Sequence, residues 1–180
     1  VLAGGLAGRD AFVGVDLSGT LDLTNATAVI PADGGVIVVP MFWIPAATLA
    51  ARTGEIDYAA AAAAGHVELC QGPTVEYQAV AAWIAALRDR SGLAVRQIGF
   101  DPWKAAELAR GLEADGFECV QIRQGWNISE PALKFESLIR SGGITHTGNP
   151  IMAWCIQNVE ARRDGNAKLR PVKPADTRKR

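Results

Sequence analysis

Cysteine is scarce in this chain of 180 residues, and its three cysteines, Cys70, Cys119 and Cys155, lie far apart. Their spacing matches no zinc-binding pattern, and an odd number cannot all be paired within one chain. The cysteine pattern therefore argues against a disulfide scaffold and a cysteine-based zinc module. It favours a protein of the reducing cytoplasm.

Long apolar runs and a strong charge of one sign are also missing. No stretch reaches the roughly 18 apolar residues that a membrane span requires, and the alanine-rich residues 59–64 are too few. No signal peptide is apparent. The formal net charge is -1, so composition alone predicts no binding to nucleic acid or to an anionic membrane.

The composition that remains is that of one domain with a substantial core, because 49% of the residues are hydrophobic and 21% are charged. Residues 1–9 are rich in glycine and alanine and are predicted to be the remnant of a linker, with a single domain over residues 10–180. The chain begins at Val1 without a methionine and ends without a helix-ending signal. We therefore expect a piece of a longer protein, truncated at its C-terminus.

The hydrophobic pattern predicts three strands in succession, at residues 11–16, 26–31 and 36–40, with a hairpin turn at residues 32–35. Helices and strands then alternate, at residues 74–91, 95–101, 102–114, 117–122 and 131–140. This is the element order of a ribonuclease-H-like α/β fold, a mixed sheet of three antiparallel strands and then parallel strands, with helices on both faces.

Two aspartates, Asp16 and Asp101, each follow a hydrophobic strand. In the predicted fold these two strands are neighbours, so the carboxylates meet at the carboxyl edge of the sheet, where open α/β sheets place their sites. Carboxylates suit hard divalent cations, and two Mg²⁺ or Mn²⁺ ions roughly 3.5–4 Å apart hydrolyse phosphodiesters. We predict Asp16 and Asp101 as metal ligands and catalytic residues.

Structural roles are open for the same residues. Asp16 suits a turn at a strand end, and Asp101 suits the N-cap of a helix whose first residue is Pro102. A cap and a metal ligand are compatible roles for one carboxylate. A third carboxylate is not obvious, because Asp176, the nearest late candidate, lies in a tail rich in proline and lysine.

Although the net charge of the chain is close to zero, basic residues cluster near its C-terminal end. From Arg162 to the end of the chain, eight basic residues face only two aspartates, a local charge of +6. Residues 160–163 and 167–172 are predicted to form a hairpin around the turn at residues 164–166. It is either a charged, solvated edge hairpin or a phosphate-binding surface, and for the second role the candidates are Arg163, Lys168, Arg170 and Lys173.

Several polar or aromatic side chains are candidates for positions beside the site. Ser18 follows Asp16 by two residues, and His146 lies in a polar loop before a predicted helix that begins at residues 149–150. Trp103 and Trp126 lie beside polar loops, where they either flank the site or pack.

These residues together resemble a known family, the nuclease domain of the large terminase subunit of tailed bacteriophages and prophages. The resemblance rests on residues 14–18 (Gly-Val-Asp-Leu-Ser), 100–103 (Phe-Asp-Pro-Trp), 124–129 (Gln-Gly-Trp-Asn-Ile-Ser) and 144–150 (Ile-Thr-His-Thr-Gly-Asn-Pro). It continues with Trp154, Asn158, Val159, Gly165, Asn166 and Lys173. The order and spacing of the motifs carry it, rather than any single one.

The resemblance implies an endonuclease that cuts concatemeric double-stranded viral DNA during packaging, in the cytoplasm of the bacterial host. It implies two Mg²⁺ or Mn²⁺ ions, with Asp16 and Asp101 as the first and second ligands. The implied partners are an N-terminal ATPase domain, the small terminase subunit and the portal, and no membrane. In the family a Lys-Ile-Asp-Gly-like segment supplies a third aspartate after a basic tail such as residues 177–180, where this chain ends.

Two other functions remain open at this stage. Residues 15–20, Val-Asp-Leu-Ser-Gly-Thr, also resemble the phosphate-binding hairpin of sugar kinases and actin-type ATPases, although those proteins need two such domains. The chain has no Gly-x-x-x-x-Gly-Lys-Ser/Thr loop of its own. A non-catalytic DNA-binding module is the other alternative, in which the basic hairpin binds phosphates and the acidic pair is structural.

Overall fold

A computed structural model describes residues 5–18, 23–51, 56–102 and 105–174. Its strands are β1 (Asp10–Asp16), β2 (Thr24–Ala32), β3 (Gly35–Pro45), β4 (Glu68–Cys70), β5 (Ala94–Phe100), β6 (Cys119–Gln121), β7 (Ile144–His146), β8 (Glu160–Arg163) and β9 (Leu169–Val172). Its α-helices are α1 (Tyr58–Ala63), α2 (Tyr77–Asp89), α3 (Ala106–Ala114), α4 (Ser129–Arg140) and α5 (Pro150–Asn158). The 3-10 helices are Ala46–Ala51 and Gly125–Ile128.

The three expected antiparallel strands are confirmed as β1, β2 and β3. β2 and β3 join through a tight turn in which Gly34 has φ +76°, a conformation that glycine adopts without steric cost. β3 runs to Pro45, five residues beyond the expected end at Pro40, because its last residues pair in parallel with β4.

The sheet has the order β4-β3-β2-β1-β5-β6, and β7 pairs in parallel with the first part of β3. β1 and β5 are parallel neighbours, and β5 and β6 are also parallel. This mixed sheet with helices on both faces confirms the ribonuclease-H-like architecture. β8 and β9 form a separate two-stranded hairpin, as the sequence predicts.

Helices α2 and α3 cover one face of the sheet. The alternating pattern of β1 directs Val13 and Val15 into this core, while Ile84 of α2 and Leu112 of α3 pack there from the helices. Burial of such aliphatic side chains contributes about 1.5–3 kcal/mol each, so β1 is held firmly from this side.

Helices α1 and α5 cover part of the opposite face, near β3 and β4. The core there contains Phe42 and Ile44 of β3, Tyr58 of α1 and Ile151 of α5. On this same face of the sheet, the side of β1 away from the first core is exposed. That exposed strand face includes Asp16.

Two helices begin at positions that differ from the sequence-based expectation. α3 begins at Ala106 rather than after Pro102, and the residue at its N-cap is the buried Ala105. α4 begins at Ser129, two residues before Pro131. Proline is tolerated in the first helical turn because its missing N–H has no partner there, so Pro131 does not mark the start.

All three cysteines are free thiols. Burial raises the pKa of the Cys70 thiol and that of the Cys119 thiol. Both thiols are therefore protonated at neutral pH and are poor nucleophiles.

Across the described ranges, no helix combines the length and apolar character needed to cross a membrane.

Candidate functional site

The strand register places Asp16 and Asp101 beside each other. Val15 of β1 is paired with Phe100 of β5, and each aspartate is the next residue along its chain. Neighbouring strands lie about 4.8 Å apart, and both aspartates are at the carboxyl end of their strand. The sequence-based expectation that these strands are neighbours is confirmed, and the two carboxylates lie at one edge of the sheet.

The residues that precede the two aspartates are buried in the core on one face of the sheet, whereas the aspartates are more exposed. Val15 and Phe100 are each 7% exposed and pack in the first core. Asp16 is exposed and Asp101 is half-buried. Since adjacent residues of a strand face opposite ways, burial of Val15 directs the Asp16 carboxylate towards the uncovered face.

Asn25 of β2 flanks Asp16 on the side away from β5, as its register partner. Its Nδ2 donates to the Met41 carbonyl at 2.9 Å, and its Oδ1 accepts from the Thr27 hydroxyl at 2.9 Å. These two hydrogen bonds fix the side-chain amide of Asn25, which lies beside Asp16 at one side of the site.

Asp101 is not the N-cap residue of α3, because Ala105 occupies that position. The alternative structural role for Asp101, as a cap on a helix that begins at Pro102, is therefore wrong. Pro102 lies in a turn between β5 and the helix. Asp101 directly follows β5, whereas Asp16 is the last residue of β1.

Ser18 has a structural position close to Asp16. It is 8% exposed, and its N–H and its hydroxyl both contact the Thr24 hydroxyl, at 3.1 and 3.0 Å. Its carbonyl accepts from the Tyr77 hydroxyl at 3.4 Å. These contacts tie the end of β1 to β2 and α2, so Ser18 holds the chain that carries Asp16.

His146 does not lie beside the two aspartates, contrary to the sequence-based expectation. It pairs with Val38 of β3, in the row that contains Phe12 of β1. Asp16 is three strands and four residue positions away, roughly 20 Å at standard sheet spacings. The exposed His146 side chain accepts the Gly148 N–H at its Nδ1, which shapes the loop before α5.

The carboxylates of Asp16 and Asp101 are present at this edge, and Asp176, the candidate for a third carboxylate, lies outside the described residues. Trp103, a candidate to flank the site, also lies outside them. Within the described ranges, no group of three or more His, Cys, Asp and Glu side chains is arranged to hold a metal ion. The chemistry of the pair nevertheless fits a hard divalent cation, which takes carboxylate oxygens and fills its other positions with water and phosphate oxygens.

The basic hairpin β8–β9 is anchored to α4. The Leu169 N–H donates to the Ser129 hydroxyl at 2.9 Å, and the Leu169 side chain is buried. Arg163 forms an ion pair with Glu136 at 2.9 Å, and Arg140 shares the same carboxylate. The hydrogen bond from Arg140, followed by the charge of Arg163, lowers the pKa of Glu136. The hairpin therefore has a defined position on the domain.

The guanidinium of Arg170 lies over the ring of Trp126, with Cζ 4.8 Å from the ring centroid. Its Nε is buried and has no hydrogen-bond partner among the residues that the structure describes. Trp126 belongs to the 3-10 helix Gly125–Ile128, which starts four residues after β6. β6 ends at Gln121, the register partner of Phe100, so the hairpin is linked to the edge of the sheet where the aspartates lie.

The remaining basic candidates differ in their surroundings. Lys168 and Lys173 have exposed side chains, and the backbone N–H of Lys168 donates to Asp164 in the turn. Arg162 is exposed and lies directly opposite Arg170. Like charges at such a pair of positions are unfavourable in an isolated hairpin, which is consistent with an anionic partner.

Sequence reasoning did not identify three residues that position the hairpin: Trp126 as the platform for Arg170, Glu136 as the partner of Arg163, and Ser129 as the acceptor for Leu169. Trp126 carried a weak signal, since a tryptophan beside a polar loop either flanks a site or packs. Ser129 belonged to the 124–129 motif, but nothing in the sequence linked it to Leu169, and Glu136 carried no signal, because their partners lie far along the chain.

A mixed sheet of this order, flanked by helices and with two in-register carboxylates at its carboxyl edge, defines a ribonuclease-H-like domain. Residues 3–180 match the family described as the terminase large subunit, endonuclease domain. Because the match covers nearly the whole sequence, the chain belongs to this family.

Three comparisons describe its relatives. The terminase large subunit of Enterobacteria phage HK97 is 32% identical over 169 residues, which are 89% of this chain and 33% of that protein. The crystal structure of the HK97 large terminase superposes with a TM-score of 0.80 at 27% identity, over 93% of this chain and 36% of that one. The large terminase nuclease of thermophilic phage G20c, crystallised with bound magnesium, shares the fold with a TM-score of 0.58 at 10% identity, over 94% and 74% of the two chains.

The chain spans about a third of the length of the HK97 protein. The family assignment leaves the sugar-kinase or actin-type alternative without support, and residues 19 and 20 of the motif behind it lie outside the described residues.

Proposed function

We propose that this chain is a divalent-metal-dependent endonuclease domain that hydrolyses phosphodiester bonds of double-stranded viral DNA during genome packaging. The observation that carries the proposal is the register of β1 and β5, with Asp16 and Asp101 each one residue past a buried pair. Membership of the terminase endonuclease family supports the reaction class. Magnesium in the G20c nuclease supports the type of cofactor.

In this proposal Asp16 and Asp101 hold Mg²⁺ or Mn²⁺, as two ions once a third carboxylate from outside the described residues contributes. Bound ions of this kind lower the pKa of an attacking water and offset the charge that develops on the leaving oxygen. The protein keeps the two carboxylates at a fixed spacing, because the buried Val15 and Phe100 immobilise the strand ends. The exposed Asp16 leaves the site accessible to a phosphodiester.

The basic hairpin is proposed to bind DNA phosphates near the cut. Lys168 and Lys173 are exposed basic residues of the hairpin and of the segment just after it. Arg163 and Arg170 are pre-oriented by Glu136 and Trp126, which lowers the entropy lost on binding. The wider assembly that the resemblance implies, an ATPase domain, a small terminase subunit and a portal in the cytoplasm of the bacterial host, is part of the same proposal.

The test is nicking of supercoiled plasmid in the presence of Mn²⁺ by the protein in its full natural length. Asp16→Asn and Asp101→Asn remove one negative ligand each with little change in shape. Each is expected to lower the cleavage rate about a hundredfold or more, because stabilisation of charge in the transition state is lost. Asp33→Asn is the matched control, since Asn-Gly supports the same hairpin turn.

Wild-type cleavage rates in both site variants would refute the proposal. Salt-dependent DNA binding by the wild type, without cleavage at any Mg²⁺ or Mn²⁺ concentration, would instead favour a non-catalytic DNA-binding module.

A further inference from the structure

Ser18 and Thr24 form a buried pair of hydroxyl groups just beyond Asp16. Thr24 is wholly buried, and Ser18 keeps 8% of its surface exposed. Their hydroxyl oxygens lie 3.0 Å apart, and the Ser18 N–H donates to the Thr24 hydroxyl at 3.1 Å. Buried polar groups need hydrogen-bond partners, and here each hydroxyl contacts the other. The pair therefore ties the end of β1 to the start of β2 through side chains.

The burial of Ser18 departs from the alternation of β1. Val15 and Leu17 are buried, and Asp16 between them is exposed. Since successive side chains of a strand point to opposite faces, continued alternation would place Ser18 on the face of Asp16. Ser18 is buried instead, with its N–H and hydroxyl both in contact with Thr24. The chain thus leaves the strand directly after Asp16, and Thr24 holds it there.

The residues that hold Ser18 are themselves fixed in the first core. Thr24 is paired with Trp43 of β3, which is also wholly buried. The rings of Trp43 and Trp83 of α2 pack in an edge arrangement, with centroids 6.1 Å apart. A second contact reaches Ser18 from the same helix, because the Tyr77 hydroxyl donates to the Ser18 carbonyl at 3.4 Å. Ser18 is therefore attached to two elements of the core.

Asp16 depends on this attachment because backbone pairing gives out beside it. The register with β5 ends at Val15, one residue before Asp16, and the register with β2 ends at Asp16 itself. A cation between two carboxylates needs them at a fixed separation. We propose that Thr24 is a positioning residue of the nuclease site, whose hydroxyl holds Ser18 and thereby fixes the Asp16 carboxylate relative to Asp101. The inference rests on the proposed nuclease function.

Two substitutions of Thr24 test the role of its hydroxyl, in the protein at its full natural length. Thr24→Val keeps the shape of the side chain and removes the hydroxyl, whereas Thr24→Ser keeps the hydroxyl and removes a methyl group. Loss of a group that orients a metal ligand typically costs about tenfold or more in metal affinity or activity. The affinity for Mn²⁺, measured by calorimetry without DNA, and kcat for plasmid nicking should both fall by this factor in the valine variant. KM for DNA should not change, and the serine variant should behave like the wild type.

Thr48→Val is the matched control for the loss of a buried hydroxyl. Thr48 is 7% exposed, and its hydroxyl donates to the Pro45 carbonyl at 2.8 Å, in the 3-10 helix that follows β3. Because β2 separates β3 from β1 in the sheet, this hydroxyl does not hold Asp16. Thr48→Val should lower the melting temperature as Thr24→Val does, and it should leave Mn²⁺ affinity and kcat unchanged.

Wild-type Mn²⁺ affinity and kcat in a folded Thr24→Val protein would overturn the proposal. If the valine variant does not fold, Ser18→Ala replaces it, because it removes the other hydroxyl of the pair, and wild-type values there would count in the same way. Equal losses in Thr24→Val and Thr24→Ser, or in Thr24→Val and Thr48→Val, would also contradict a role for this hydroxyl. A failure of the nuclease function itself is distinct, because it appears as an inactive wild type or as full activity in Asp16→Asn.

Discussion

Asp16 and Asp101 occupy equivalent positions on adjacent parallel strands, each one residue beyond a buried register pair. Carboxylates on neighbouring strands repel each other unless a cation or a hydrogen bond offsets their charge. In the proposed function, a divalent ion bound between them offsets their negative charge.

Mn²⁺ is expected to stabilise the folded protein through this pair. A ligand that binds only the native state adds about 2.7 kcal/mol when its free concentration is a hundred times its Kd. Asp16→Asn and Asp101→Asn should each reduce the rise in melting temperature that Mn²⁺ causes, and Asp33→Asn should not. An equal rise in all four proteins would show that the ion binds elsewhere.

Lys168→Gln is expected to weaken DNA binding and to reduce its salt dependence. Each phosphate contact contributes about 0.9 to the slope of log K against log salt concentration. Lys168 is an exposed side chain of the hairpin, so the slope should fall by about that amount when affinity is measured across a salt series. Arg110→Gln removes one exposed charge from α3 and serves as the control, and an identical loss in both variants would contradict a specific role for the hairpin.

Arg170 and Trp126 are expected to be energetically coupled. A guanidinium over an indole ring contributes about 0.5–1 kcal/mol at exposed sites and about 2 kcal/mol when desolvated. A double-mutant cycle with Arg170→Gln and Trp126→Leu, read by urea unfolding, should give a coupling free energy in this range. In Arg170→Lys the coupling free energy with Trp126 should be smaller than in the wild type, because an ammonium lacks the planar group that stacks on the indole ring. Strict additivity of the two single changes would refute the contact.

Glu136 is expected to make stability depend on pH in the acid range. The hydrogen bond from Arg140 and the charge of Arg163 lower its pKa below the ordinary value of 4.5. The unfolded chain binds the proton first as the pH falls, so this contribution is complete above about pH 4.5 and is lost as the pH falls through the folded pKa.

Carboxyl NMR titration of Glu136, together with melting temperatures from pH 6 downward, would measure this effect. Glu136→Gln should remove its share of the acid destabilisation, while Glu130→Gln, on the same helix, should behave like the wild type. A Glu136 pKa at or above its ordinary value would contradict the prediction.

Asn149 is expected to be important for the second core. It is 1% exposed, its Oδ1 accepts the N–H groups of Ile151 and Met152, and its Nδ2 donates to the His66 carbonyl. Asn149→Ala loses a helix cap and leaves buried groups without partners, which costs about 1–3 kcal/mol. Asn149→Ser keeps an oxygen that can cap the helix and loses the donor to His66, so urea unfolding should rank it between the alanine variant and the wild type.

The helix that follows β5 shows where local sequence patterns mislead. Pro102 after Asp101 is a strong helix-start signal, yet Pro102 lies in a turn and α3 begins at Ala106, with the buried Ala105 at its N-cap. The local sequence around His146 is likewise misleading about its function. Its loop looks open to substrate, but pairing of β7 with β3 moves it three strands from Asp16.

The sequence by itself determined the elements and the candidates. Alternating hydrophobic residues define β1, β2 and β3, turn residues define the hairpins, and two aspartates after hydrophobic strands define the candidate metal ligands, because these signals are carried by neighbours in the chain. The third carboxylate and the roles of Asp16 and Asp101 stay predictions.

Only the tertiary structure decided which candidates lie together. Parallel pairing of β1 with β5 brings Asp16 and Asp101 to one edge, and the contacts of Arg163 with Glu136 and of Arg170 with Trp126 fix the hairpin on the domain. The physical reason is that these arrangements depend on packing between segments far apart in the chain, which no local pattern encodes.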